Sequence, residues 1–76
     1  MNADRRKAID EAISQLEQIK SDIENLTSEE QDAYDALPES LQNGEKGEKM
    51  QEAINSLEEA ANEIDNAMDN LSAAKE

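Results

Sequence analysis

Apolar residues in the C-terminal half of the chain recur at steps of four and three, which is the spacing of one stripe along an α-helix. The stripe contains seven residues: Met50, Ile54, Leu57, Ala61, Ile64, Met68 and Leu71. Alanine flanks it at every seventh position, at Ala53, Ala60, Ala67 and Ala74. This pattern predicts a helix at about residues 47–73 that is buried along one side against other helices. The small flanking residue lets a neighbouring helix come close.

The N-terminal half carries the same spacing in two heptad rows. One row is Ile9, Leu16, Ile23, Glu30 and Leu37, and the other is Ala12, Ile19, Leu26 and Ala33. Because the phase is kept across Thr27 and Ser28, the rows predict one long helix at about residues 3–36, which Asn2 can cap. The alternative is a break at this point, where Ser28 and Gln31 would form a capping box and start a new helix.

The segment at 37–46 predicts a turn between the two helices. The residue before a proline is pushed out of the α region, so we expect the first helix to end near Leu37. Pro38 suits the first position of a short helical turn, and Leu41 would then tuck back onto the end of the bundle. Asn43-Gly44 and Gly47 supply turn residues.

These elements predict an all-α fold with a single domain at 1–76. A connection this short makes the two helices an antiparallel, coiled-coil-like hairpin. A chain of 76 residues without cysteine has a thin hydrophobic core. We therefore expect self-association, with two hairpins forming a four-helix bundle as a homodimer.

Charge narrows the classes of partner. The net charge is −13, and it arises from residues 21–76, because the acidic and basic side chains of residues 1–20 cancel. Such a field opposes direct binding to nucleic acid or to an anionic membrane and favours a basic protein partner. The start of the chain has no apolar stretch typical of a signal peptide, and no apolar run is long enough to span a bilayer. We expect a cytoplasmic protein.

The sequence predicts neither an enzyme nor a cofactor site. The chain has no histidine and no cysteine, so none of its serines has a histidine to activate it, and a histidine-containing di-iron motif is absent. A dense run of acids and amides near the C-terminus is expected to be a solvated helix face rather than a metal site. Its members are Asn62, Glu63, Asp65, Asn66, Asp69 and Asn70.

Three further features each allow two interpretations. The basic cluster Arg5-Arg6-Lys7 either touches a phosphate or forms weak ion pairs with the acidic second half of the second helix. Tyr34, the only aromatic residue, is either an anchor for a partner or a residue at the edge of the core near the turn. Glu30 either sets the register of an interface or lies where water reaches the bundle.

One segment resembles a known group of proteins. Residues 29–42 read EEQDAYDALPESLQ and are followed by Glu45, Gly47, Glu48 and Met50. This stretch is similar to small acidic helical-hairpin proteins of unknown function from bacterial and phage genomes, in which E-E-x-x-A-[FY]-D-N-x-P-E-S-L-Q precedes an acidic helix with regularly spaced alanines. Ala36 stands where asparagine is usual, so capping by that asparagine is lost. The resemblance implies a phage or prophage setting and no activity.

The function most consistent with these patterns is a small non-enzymatic protein–protein interaction module, such as a phage accessory or host-takeover factor. Its partner would pack against a helix face, with Tyr34 and Leu41 as candidate anchors. The alternative is a DNA mimic that occupies the basic groove of a nuclease or DNA-binding protein. Its candidate carboxylates are Glu52, Glu58, Glu59, Glu63, Asp65 and Asp69. A structural spacer is a third class.

Overall fold

The computed structural model describes all 76 residues as two long antiparallel helices joined by one short helical turn. Helix α1 spans Ala3–Asp35, α2 spans Glu39–Gln42 and α3 spans Glu45–Ala74. At 1.5 Å per residue the long helices measure about 50 and 45 Å, which agrees with the overall Cα extents of 58 × 15 × 11 Å. The predicted all-α hairpin is therefore confirmed, with helix ends within two residues of those expected.

Helix α1 is continuous, and its N-terminus is capped as predicted. The Asn2 Oδ1 atom accepts a hydrogen bond of 2.8 Å from the backbone N–H of Arg5. Thr27 lies inside the helix, where its hydroxyl donates to the carbonyl of Ile23 at 2.8 Å. This local bond satisfies the Thr27 side chain without interrupting the helix. The helical phase on either side is preserved, so the predicted alternative of a break at Thr27-Ser28 is wrong.

The turn differs from the prediction in two details. Pro38, with φ −56° and ψ 146°, is the N-cap residue of α2 rather than its first helical residue. Leu41 does not tuck back onto the bundle but leaves 45% of its surface exposed. The cause is that Gln42, one residue further around this single turn, is the residue that packs against α3.

Gly47 is needed for space rather than for an unusual backbone conformation. It is buried in the first turns of α3, and no glycine in the chain has a positive φ. A Cβ atom on Gly47 would overlap the backbone carbonyl of Gln42. The close approach of α2 to α3, which sets the geometry of the turn, therefore depends on the missing side chain.

The hairpin interface is narrow. With Ile9 and Met50 as position a of a heptad, most half-buried residues fall in rows a and e of both long helices, and the exceptions are Ala12 and Ala60 in row d and Asp65 in row b. In α1 the row a residues are Ile9, Leu16, Ile23 and Glu30, and the row e residues are Ile13, Lys20, Thr27 and Tyr34. In α3 they are Met50, Leu57, Ile64 and Leu71 in row a, and Ala61, Met68 and Lys75 in row e beside Ile54. Ile54, with 6% of its surface exposed, is the one buried large side chain.

Candidate interaction surfaces

Three contacts between side chains cross the hairpin and hold the two helices in one register. They are an ion pair between Lys20 and Asp65 at 2.7 Å, another between Asp10 and Lys75 at 2.6 Å, and a hydrogen bond of 2.9 Å from Gln51 Nε2 to the Tyr34 hydroxyl. The steps from Asp10 to Lys20 to Tyr34 along α1 equal the steps back from Lys75 to Asp65 to Gln51 along α3. The register is therefore constant from the open ends to the turn.

All three contacts join a row e residue of one helix to a row b residue of the other. Rows e and b are neighbours around a helix, on the same side of row a, because each residue advances the helix by about 100°. The contacts therefore lie together on one side of the hairpin, which we call the bridged face. Its residues are Asp10, Lys20, Tyr34, Gln51, Asp65 and Lys75.

Lys20 is the electrostatic centre of the bridged face. It lies in an open groove whose other residues are Glu24, Thr27, Ser28, Glu58, Ala61, Asn62 and Asp65. The hydrogen bond to Asp65 raises the pKa of Lys20 above its usual 10.5. The charges of Asp65 and Glu24 act in the same direction, whereas partial desolvation opposes them. Asp65 is therefore committed to an ion pair within the hairpin.

Tyr34 links α1 to α2 and α3 at the turn end of the hairpin through two hydrogen bonds. It is half-buried, its hydroxyl accepts from Gln51, and its carbonyl accepts a hydrogen bond of 3.0 Å from Gln42 Nε2. A second groove on the bridged face is lined by Tyr34, Gln31, Gln51, Ile54, Asn55 and Glu58. These contacts agree with the interpretation of Tyr34 as an edge-of-core residue.

The basic cluster near the N-terminus makes no ion pair with a carboxylate. The predicted ion pairs between this cluster and the second half of the second helix are therefore wrong. Arg6 Nε instead donates to the carbonyl of Lys75 at 3.0 Å. A cation at the last carbonyls of a helix satisfies an otherwise free acceptor and opposes the negative end of the helix dipole. The ion pair at this end is made by Lys75 with Asp10.

The opposite side of the hairpin carries row d of both helices, which we call the alanine face. Because rows e and b of the two helices share one side, the two d rows share the other. From the open end to the turn the register forms four layers, each with one residue of α1 and one of α3. The layers are Ala12 with Ala74, Ile19 with Ala67, Leu26 with Ala60, and Ala33 with Ala53.

The alanine face is largely uncovered. Ile19 leaves 46% and Leu26 leaves 51% of its surface exposed. Of the six alanines in row d, Ala12 and Ala60 are half-buried, and the other four are exposed: Ala33, Ala53, Ala67 and Ala74. The regular spacing of the alanines in α3 suggests close packing against a neighbouring helix, but within the hairpin α1 leaves most of this row uncovered. No cross-helix polar contact lies on this face.

The alanine face is also the electrically neutral side of the protein. Row d and the neighbouring row g contain three basic and three acidic side chains: Arg5, Lys46 and Lys49, and Asp22, Glu29 and Glu63. Their charges cancel. The whole net charge of −13 therefore belongs to the rest of the chain, chiefly to the outward rows b and c.

The six carboxylates predicted for DNA mimicry do not form one surface. Glu58 and Asp65 lie toward the bridged face, Asp69 and the pair Glu52 and Glu59 point outward, and Glu63 borders the alanine face. This spread follows from the helical rotation of about 100° per residue. Asp65 is half-buried beside Lys20, and the other five are exposed.

Other candidate chemistry finds no site in the structure. No group of three metal-ligating side chains converges, and the acid and amide run at 62–70 lies along α3. Glu30 is half-buried in row a rather than enclosed. Sequence reasoning missed Lys20, Thr27 and Gln51 as interface residues. The signal for Lys20 and Thr27 was the a and e spacing of the α3 stripe, which an antiparallel partner helix has to match, whereas Gln51 lies in row b and had no such signal.

No family model matches the chain, and no curated protein or solved structure shows significant similarity to it.

None of the helices contains a stretch apolar and uncharged enough to cross a bilayer.

Proposed function

We propose that this chain is a small acidic protein–protein interaction module that associates with itself and presents its charged outer rows to a basic protein. The observation that carries the proposal is the uncovered apolar surface. Only Ile54 is buried among the large side chains, whereas Ile19, Leu26 and Leu41 are each close to half exposed. A two-helix layer with so little core gains stability by covering that surface with another protein.

The charge distribution suggests that long-range electrostatic attraction brings a basic partner to the hairpin. Rows b and c place most of the acidic groups on the outer sides of the hairpin, where they attract a basic surface over a distance of about 10 Å at 0.1 M salt. Leu41 stands at the turn end with 45% of its surface exposed, which makes it a better anchor for a partner than Tyr34. By resemblance to small phage proteins, the partner would be a host or phage protein.

A tagged chain used as bait at low and at high salt tests this proposal. We expect a basic protein to be retained at high salt, and Leu41→Ala to reduce its retention more than the triple change of Glu58, Glu59 and Glu63 to lysine. The triple change should mainly slow association, because charges at the rim of an interface act on the association rate. Recovery of no protein other than the bait itself would contradict a heterologous partner.

A DNA mimic is the second candidate, and charge density is the observation that favours it. The chain carries a net charge of −13 along 58 Å. A duplex of that length carries about 34 phosphate charges and a single strand about 17. One hairpin thus approaches the density of one strand, and two hairpins side by side, with about 26 negative charges, would reach three-quarters of the duplex value.

Competition separates the two candidates. If the chain mimics DNA, duplex DNA displaces it stoichiometrically from its partner, affinity falls steeply with salt, and the triple lysine change abolishes binding while helicity is kept. If the chain acts by packing, the partner holds DNA and the chain together, or binds no DNA. Circular dichroism of the triple variant serves as the control for folding.

A further inference from the structure

We propose that the alanine face docks a second copy of this chain, with the two-fold axis parallel to the long axis of the hairpin. In this arrangement α1 of each copy lies over α3 of the other, and Ile19 and Leu26 of one copy pack onto Ala67 and Ala60 of the other. The inference rests on the self-association in the proposed function and adds the face, the axis and the contacting layers.

The exposed area of the chain is sufficient for such a dimer. A compact monomer of 8.4 kDa exposes about 4,600 Å², whereas this chain exposes 5439 Å². The excess of about 800 Å² equals one partner's share of a standard protein–protein interface. The extended hairpin thus has as much surface to spare as a stable dimer needs.

Charge selects the alanine face over the others. A second copy carries the same net charge of −13, so two outer acidic sides brought together repel each other strongly. On the alanine face the three basic and three acidic groups of rows d and g cancel. Two copies therefore meet with the least repulsion when their alanine faces meet.

Side-chain size selects the orientation of the two-fold axis. With the axis along the hairpin, each residue keeps its level, so Ile19 lies over Ala67 and Leu26 over Ala60 of the other copy. Large and small residues then alternate around each layer, which is how bundle layers fill space. With the axis across the hairpin, Ile19 would lie over Leu26, and alanine over alanine, so one side would be overpacked and the other left with a gap.

The preferred arrangement also makes every pair of neighbouring helices antiparallel. Opposed helix dipoles are then adjacent throughout the bundle. The docked surface adjoins the a row of the hairpin interface, so the two apolar contacts merge into one core. Ile9, Leu16, Ile23 and their counterparts in α3, which are only half-buried in the hairpin, would then lie at the centre of four helices.

Cross-linking of mixed single-cysteine variants tests the arrangement directly, since the chain has no cysteine of its own. A disulfide needs Cβ atoms about 3.5–4.5 Å apart. The proposed axis brings position 26 of one copy to position 60 of the other. We expect an equimolar mixture of Leu26→Cys and Ala60→Cys to give at least about tenfold more disulfide-linked heterodimer than a mixture of Leu26→Cys and Ile19→Cys.

The other outcomes contradict the inference in distinguishable ways. Preferential linkage of positions 26 and 19 would overturn the axis while leaving self-association in place. A dimer in sedimentation that forms neither disulfide would show that another face is the interface. A wild-type chain that stays monomeric at all concentrations would overturn both this inference and the self-association in the proposed function.

Discussion

The bridged face and the alanine face belong to the same two helices, but they differ in how many of their side chains find a partner within the single chain. On the bridged face, Lys20 pairs with Asp65, Asp10 pairs with Lys75, and Tyr34 accepts from Gln51. On the alanine face, Ile19 and Leu26 are exposed and no polar contact crosses between the helices. Within one chain, the hairpin therefore pairs the polar groups of the bridged face and leaves large apolar side chains of the alanine face exposed.

The largest expected effect separates the core of the hairpin from the alanine face. Ile54→Ala truncates the one buried large side chain, and we expect a loss of about 2–4 kcal/mol in the free energy of unfolding. Ile19→Ala removes a side chain that is 46% exposed and should cost less than about 1 kcal/mol in the dilute monomer. Urea denaturation at low protein concentration measures both. Equal losses would show that the alanine face is covered within the single chain.

The turn holds the register on which both faces depend, and Gly47 tests it. Gly47→Ala should cost about 1–3 kcal/mol, because the added Cβ overlaps the Gln42 backbone, which cannot rotate away. Gly44→Ala is the matched control, since its Cβ would meet the Ser40 carbonyl at an ordinary 3.5 Å. We expect that change to cost at most about 0.5–1 kcal/mol, because alanine is a poorer N-cap residue than glycine. Equal melting temperatures for the two variants would contradict the close approach of α2 to α3.

The hairpin, its two long helices and its turn follow from the sequence because the apolar spacing spans many heptads and Pro38 interrupts it. In α3 the apolar stripe coincides with the buried and half-buried positions, since Ile54, Ala61 and Met68 in row e accompany row a. The error lay in α1, where Ile19 and Leu26 suggested row d as the buried row. Row e of that helix contains Lys20 and Thr27, and their polarity concealed its part in the interface. The structure shows that Lys20 pairs with Asp65 across the hairpin and that the Thr27 hydroxyl donates to the Ile23 carbonyl within its own helix.

Asp22 and Glu63 lie at the rim of the alanine face, where their charges bear on dimerisation. In the proposed dimer Asp22 of one copy lies near Glu63 of the other, a repulsion that occurs twice. Glu63→Lys converts both repulsions into attractions, so we expect the dimer dissociation constant to fall by about tenfold. Glu59→Lys makes the same change of charge on the outer row c and should alter the constant less. If Glu59→Lys strengthens the dimer as much, total charge rather than this contact governs association.

The smallest expected effect concerns the bridged face at alkaline pH. Asp65 raises the pKa of Lys20 above 10.5 in the folded chain, so the stabilisation is complete below pH 10.5 and is lost as the pH rises through the raised value. We expect the melting temperature of the wild type to fall slightly more than that of Lys20→Gln between about pH 9 and 12. Parallel curves would show that the ion pair contributes nothing to stability, as many exposed pairs do.

Sedimentation equilibrium over a wide concentration range tests most directly whether the alanine face is the surface that another copy covers. We expect the wild type to rise from the monomer mass of 8.4 kDa toward twice that value. Leu26→Lys should stay monomeric and helical, because it would bury an unpaired ammonium group in the dimer twice over. Asn25→Lys, the same charge on the outer row c of the same helix turn, should associate as the wild type does. If Leu26→Lys associates as strongly as the wild type, or if the wild type remains at the monomer mass throughout, the alanine face does not dock a second copy.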